Sequence, residues 1–210
     1  MFDFIITKKV DLIANDGLSS IDNHAAQQHH DAYEKFYNLL EYTKPKRILE
    51  IGTALGGFTK FLELAINKLE LDTYIKSYDI HRMSWYNAMI SDKLEINIKN
   101  IFSENYEYLI DDSVADFIQQ DGLTIILCDG GSKKNEFNIL SKYLKLNDII
   151  MTHDYSPTHD YFEKNMYQKI WNWHEINDQD IDYSLIQYNL QQFMYDDMLS
   201  VAWGSFKKEI

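Results

Sequence analysis

The 210-residue chain has a single cysteine, Cys128. It can form no disulfide within itself, and it fits a reducing compartment. No stretch approaches the roughly 18–20 apolar residues of a membrane span. No early apolar run has the flanks of a signal peptide. Positive charge is scarce: 20 Lys and Arg against 33 Asp and Glu leave a formal charge of −13. That is the wrong sign for a surface built to neutralise nucleic-acid phosphates. Fixed-period repeats and long low-complexity linkers are also missing. Together these absences imply a cytoplasmic protein with neither a membrane nor nucleic acid as partner.

Apolar residues are plentiful: 45% are hydrophobic and 14% aromatic, enough to fill one core without covalent staples. The length suits one well-buried domain better than two. After a lead, "SSIDNHAAQQHHD", the residues Ala32, Tyr33, Phe36, Tyr37, Leu39 and Leu40 recur at helical spacing, and Pro45 closes that helix. "RILEIG" then reads as a strand ending on glycine, "TALGG" as a turn, and "FTKFLELAINKLE" as a helix. Further strands are expected at "TYIKSYD", "LEINIKNIF", "LTIILCD" and "NDIIMTHD". Helices are expected near "SVADFIQQ", at "KNEFNILSKYL" and at "YFEKNMYQKIWNWHEI". Two strand-like pieces joined by a turn follow in "YSLIQYNLQQFMYDDMLSVAWGSFKK". The alternation predicts a single-domain α/β Rossmann-like sandwich, its sheet mainly parallel with a C-terminal antiparallel hairpin. Residues 1–30 form the lead, a candidate substrate cover, and residues 31–210 the domain.

Ligands of such sheets gather beyond the carboxyl ends of the strands, so residues there rank first. Glu50, Gly52, Gly56 and Gly57 surround the first turn, where glycine tolerates positive φ and a helix start offers free N–H groups. Simple strand-to-helix packing would also account for them. The spacing is E-x-G-x-x-x-G rather than the G-x-G-x-x-G of a dinucleotide site, and its acid suits an ammonium group or a held water. Asp79 closes the next strand, where a carboxylate can accept from both hydroxyls of a ribose.

"ILEIGTALGGFT", Asp79, "IILCDGG" and "IIMTHDY", in this order, resemble the class I S-adenosylmethionine-dependent methyltransferases. The nearest branch is that of the metal-dependent O-methyltransferases, including catechol-type, cephalosporin-hydroxylase-like and macrolide-sugar enzymes. The resemblance covers roughly residues 30–155. It implies S-adenosylmethionine as cofactor, with Glu50, Gly52, Thr53 and Gly56 around its methionine part, Asp79 at its ribose, "KNIFSEN" near its adenine and Asp129 beside it. The acceptor it implies is a hydroxyl of a small molecule or sugar; a homo-oligomer is compatible. The residues alone leave open a nucleotide-dependent oxidoreductase or a non-catalytic cofactor-binding module.

Asp129 ends one strand and His153-Asp154 the next, so Asp129, His153 and Asp154 should meet on one rim as candidate metal ligands. The resemblance implies a divalent cation such as Mg²⁺ or Mn²⁺ there. His153-Asp154 replaces the family's usual acidic or amide pair. That leaves His153 as a ligand, as a base beside a metal held by the two acids, or as part of a metal-free loop. Lys133 is a candidate base, one residue further from Asp129 than in the catechol-type enzymes. The triplet His-Asp-Tyr recurs at 159–161, where Asp160 is expected to cap a helix. Trp171 and Trp173 are expected to pack a helix on the sheet, His81 to lie near the adenosine pocket, and His174 at the surface.

Overall fold

"RILEI", "TIILC" and "IIMTH" are buried at all five positions each. Burial without alternation requires cover on both faces, and these three strands form the middle of the sheet. The computed structural model describes residues 6–8, 19–21 and 24–210; much of the expected lead lies outside them. The elements in order are β1 (Ile6–Lys8), β2 (Ser19–Ile21), β3 (His24–Ala26), α1 (Ala32–Thr43), β4 (Arg47–Ile51), α2 (Gly57–Lys68), β5 (Tyr74–Asp79), α3 (Tyr86–Met89), β6 (Leu94–Ile98), α4 (Asp112–Gln119), β7 (Thr124–Cys128), α5 (Lys133–Leu140), β8 (Ile149–His153), α6 (His159–Tyr161), α7 (Asp178–Gln187), β9 (Leu190–Gln192), α8 (Tyr195–Leu199) and β10 (Trp203–Lys208).

The main sheet has the order β6-β5-β4-β7-β8-β10-β9. Its first five strands are parallel, and β10 runs antiparallel to both β8 and β9. This is the expected mainly parallel sandwich with an antiparallel C-terminal pair. Alternate residues of the central strands feed two apolar layers. Leu49, Ile126 and Ile150 pack with Phe117, Phe137 and Ile181, from α4, α5 and α7. Ile48, Ile125 and Ile149 pack with Phe36, Phe61 and Met198, from α1, α2 and α8. The short antiparallel sheet β1-β2-β3 belongs to the lead, and its Ile21 and Ala26 join the second layer.

Three local expectations are corrected. The segment 161–176 is not one helix: α6 passes into a single wide turn over Phe162–Met166, and the chain then runs irregularly. Gln168 at φ +55° breaks it, and Trp171 turns inward to full burial. "YSLIQ" is the end of α7 rather than a strand. Asn177 and Asp180 form a reciprocal capping box at its start, a local signal strong enough to override the strand-like composition. Only β9 remains of the first strand-like piece, and α8 stands where a turn was expected. The cap of α6 is Thr158, whose side chain accepts from the Tyr161 N–H, and not Asp160.

Asp148 fixes the start of the two strands that carry the candidate acids. It is fully buried, accepts from the Thr124 N–H at 2.8 Å and the Lys145 N–H at 2.9 Å, and pairs with the Lys145 ammonium at 2.7 Å. Asp148→Ala removes the acceptor of two backbone N–H groups and the carboxylate paired with the Lys145 ammonium, so a loss of about 3 kcal/mol is expected in urea unfolding. An unchanged midpoint would rule out this clamp.

Candidate functional site

Strand β4 stops at a glycine for a measurable reason. Gly52 has φ +96°, and a Cβ on it would stand 2.2 Å from the Asp129 carbonyl oxygen. The turn after β4 thus touches the turn after β7, backbone to backbone. Thr53, buried beside Gly52, pairs with the Ser77 hydroxyl at 2.6 Å. Ser77 and Thr59 both donate to Glu50 Oε2, at 2.5 and 2.6 Å. Glu50 is buried and lies outside the walls of both neighbouring cavities. It braces the turn from below through Thr59 and Ser77. Burial raises its pKa from an ordinary 4.5 to about 7, against the hydrogen bonds from Ser77 and Thr59.

The first cavity, about 310 Å³, is walled by the turn (Gly52, Thr53, Gly56), by Gln27 and Gln28 of the lead, by Asp129, Lys133, His153 and Asp154, and by Trp171, Trp173 and Glu175. The second, about 350 Å³, holds Asp79, His81 and the stretch Lys99–Phe102. They share Gly52, Ala54, Asp129 and Gly130. Asp79 accepts the Ala54 N–H at 2.7 Å on one oxygen and the His81 N–H at 2.8 Å on the other, which fixes its carboxylate at the cavity wall.

The parallel register pairs Cys128 with Thr152, so the next residues on each strand, Asp129 and His153, stand side by side. His153 Nδ1 is 2.9 Å from Asp129 Oδ1 and 3.7 Å from Asp154 Oδ1. Asp154 turns back at φ +55° and accepts the Trp171 indole N–H at 2.5 Å. Trp203, opposite His153 in register, stacks on its ring with centroids 4.9 Å apart. The Gln28 amide donates to Asp129 Oδ2 at 2.8 Å and accepts from the Trp203 indole at 2.9 Å. Lys133 Nζ lies 3.0 Å from Asp154 Oδ2, 3.0 Å from Glu175 Oε2 and 3.9 Å from Asp129 Oδ1.

Burial opposes the charge of Lys133, but Asp129, Asp154 and Glu175 outweigh it and raise the pKa above the ordinary value. This is a cation held in ion pairs, and service as the expected general base would require Lys133 to give up that charge first. Burial likewise opposes the charge of His153, and Asp129 and Asp154 reverse its effect, raising the pKa. For Asp154 burial pushes upward, yet His153, Lys133 and the Trp171 hydrogen bond leave it below the usual carboxylate range.

The donor atoms of Asp129, His153 and Asp154 lie within 4.8 Å of one another. Their separations of 2.9 and 3.7 Å from His153 Nδ1 bracket the roughly 3 Å between adjacent ligands of an ion with bonds of about 2.1 Å. The residues therefore fit a divalent ion. The second triplet joins no such set: the His159 side chain is 69% exposed and outside both cavity walls, its Nδ1 facing His174 Nδ1 at 3.2 Å. His174 is partly buried, stacked against Phe162. Cys128 is fully buried, and burial first of all raises its pKa, as befits a packed thiol.

Trp171 and Trp173 pack against the sheet core as expected, though from irregular chain and not from a helix, and both border the first cavity. Gln28, within the lead, touches the central acid, and Glu175 belongs to no sequence motif. The four-residue offset from Asp129 to Lys133 was visible, but not the carboxylates waiting for the ammonium.

No protein-family model matches the chain, and no curated protein matches its sequence. Solved structures do. A CmcI structure in its apo form superposes with a TM-score of 0.60 at 10% identity, covering 88% of this chain and 73% of that one. CmcI with Mg and SAM gives 0.60 at 13% identity, covering 88% and 74%. An O-methyltransferase family protein from Burkholderia thailandensis gives 0.50 at 5% identity, covering 85% and 56%. The chain shares the fold of these structures, a Rossmann-like sandwich.

A carboxyl group whose folded pKa is raised binds more protons folded than unfolded, so its contribution is present at low pH and is lost as pH rises from 4.5 through about 7. Glu50→Gln keeps an oxygen to accept from Thr59 and Ser77 but cannot ionise. Between pH 5 and 8 the variant should lose less stability than the parent, by on the order of 2–3 kcal/mol. Parallel curves of melting temperature against pH would count against an uncharged, buried Glu50.

Proposed function

We propose that the chain transfers a methyl group from S-adenosylmethionine to a hydroxyl of a small molecule or sugar, assisted by a divalent ion. The carrying observation is the pair of joined cavities, one walled by the strand-end acid Asp79 and the other by the converging donors Asp129, His153 and Asp154. Two chambers meeting at Gly52 and Asp129 suit a cofactor with an adenosine end and a methionine end. The fold shared with CmcI in its Mg and SAM complex supports the same reading.

Asp79, held by the Ala54 and His81 N–H groups, keeps a free lone pair on each oxygen for the ribose hydroxyls. Gly52, Thr53 and Gly56 flank the methionine part, with Glu50 supporting Thr53 through Ser77. Asp129, His153 through Nδ1, and Asp154 hold the ion. When bound, the cofactor would supply an electrophilic methyl on a neutral leaving thioether, and the ion would lower the pKa of the acceptor hydroxyl so that its proton passes to solvent as the C–O bond forms. Trp171 and Gln28 keep the two acids oriented, as outer hydrogen bonds do around metal sites.

The acceptor end is walled by the indoles of Trp171 and Trp173, the amides of Gln27 and Gln28, and Glu175. Lys133 is the one Lys or Arg among the described residues of that wall, and acids already surround it. A neutral hydroxylated acceptor suits this wall better than a phosphorylated one. The lead acts as part of the cover through Gln27 and Gln28. The oxidoreductase alternative has no supporting observation, because the three-glycine spacing is absent.

Calorimetry with S-adenosylmethionine, its demethylated product and NAD tests the reading. Heat is expected with both sulfur ligands and not with NAD, and Asp79→Ala should weaken the sulfur ligands about tenfold or more. Asp154→Ala should abolish divalent-ion dependence while leaving cofactor affinity nearly intact. Absence of heat with either sulfur ligand overturns the proposal.

A further inference from the structure

We propose that Glu175 is a positioning residue that sets how tightly the site holds its divalent ion, by drawing the Lys133 ammonium off the acids that bind it. The inference rests on the metal-assisted reading above. Glu175 does not belong to the set of donors that converge, which is Asp129, His153 and Asp154. Its charge is spent on Lys133, at 3.0 Å.

Lys133 is the difficulty in this site. Its ammonium is 3.0 Å from Asp154 and 3.9 Å from Asp129, so it already neutralises part of the charge a divalent ion needs. Two like charges within a few ångströms in a buried site repel strongly. A further anion that takes the ammonium lowers the cost of placing the ion and the ammonium in one cavity.

Glu175 meets that need in charge and in geometry. Asp129 and Asp154 with a neutral imidazole balance one divalent ion, and Glu175 balances Lys133; without Glu175 the occupied site carries one uncompensated positive charge. Lys133 is 7% exposed and leaves from the first residue of α5, so its reach is limited. The Glu175 side chain is 47% exposed and has room to move with the ammonium. Its backbone is anchored, because the Glu175 N–H donates to the Asp154 carbonyl at 3.0 Å. The carboxylate that shares the lysine with Asp154 is therefore tied to the strand end that holds the ion, and a shift of the ammonium toward Glu175 would leave Asp154 to the ion.

The test is a Mn²⁺ titration of the full chain, read by the electron-spin-resonance signal of free Mn²⁺, with affinity for the demethylated cofactor as a check on folding. Glu175→Gln should weaken Mn²⁺ about tenfold, within the range seen for outer-sphere residues of metal sites. Lys133→Met should tighten it, and in that background Glu175→Gln should change it less than about threefold. Glu175→Asp, which keeps the charge on a shorter side chain, should recover part of the loss and serves if the Lys133 variant does not fold. A change below threefold in Glu175→Gln overturns the inference, as does an equal loss with and without Lys133. A parent chain that binds no Mn²⁺ overturns the metal reading itself, whereas a parent that binds it beside an indifferent Glu175→Gln removes this inference alone.

Discussion

The site depends on one close approach of two backbones. Gly52 donates its N–H to the Tyr78 carbonyl, and Asp129 donates its own to the Ile51 carbonyl, at 2.8 and 2.9 Å. The turn after β4 is thereby tied to both neighbouring strands just where its missing Cβ lets the Asp129 carbonyl in. Any other residue at position 52 would push the turns apart, and the acids at the ends of β5 and β7 would lose their common frame. The two cavities are the two sides of this contact.

Around it the protein has placed several buried or half-buried carboxyl groups, more than such surroundings tolerate without partners. Each is handled differently. Glu50 takes hydroxyl donors and a raised pKa; Glu136, also raised to about 7 chiefly by burial, accepts the Gly130 and Ser132 N–H groups and shapes the turn after β7. Asp129 takes an amide and an imidazole, and Asp154 an indole and an ammonium. Buried charge is costly unless it is both paired and hydrogen-bonded. This density of compensation separates the site from an ordinary strand end.

Much of this was legible in the sequence. Runs such as "TIILC" and "IIMTH" are apolar on both faces and announce central parallel strands, and the acids after them inherit a shared rim. What stayed hidden was brought in by irregular chain. Trp171 and Glu175 sit in a stretch whose composition reads as helix, until the inward turn of Trp171 toward Asp154 breaks it. Gln28 lies in a polar lead without periodicity, and nothing local marks its amide as the partner of an acid 101 residues away. Pairings of that range are set by the finished fold, and the position of α7 turned on a capping box that composition conceals.

The Gln28 bridge also bears on the order in which the molecule assembles. An indole N–H can only donate, so Trp203 fixes the Gln28 oxygen toward itself and leaves the amide nitrogen for Asp129. These two bonds close loops of 101 and 175 residues, and their partners stand on β10 and at the end of β7. Such long closures gain nothing until those strands are in place. The contact that walls the first cavity therefore depends on both strands being in place, and any local opening of the lead around Gln28 would open that cavity.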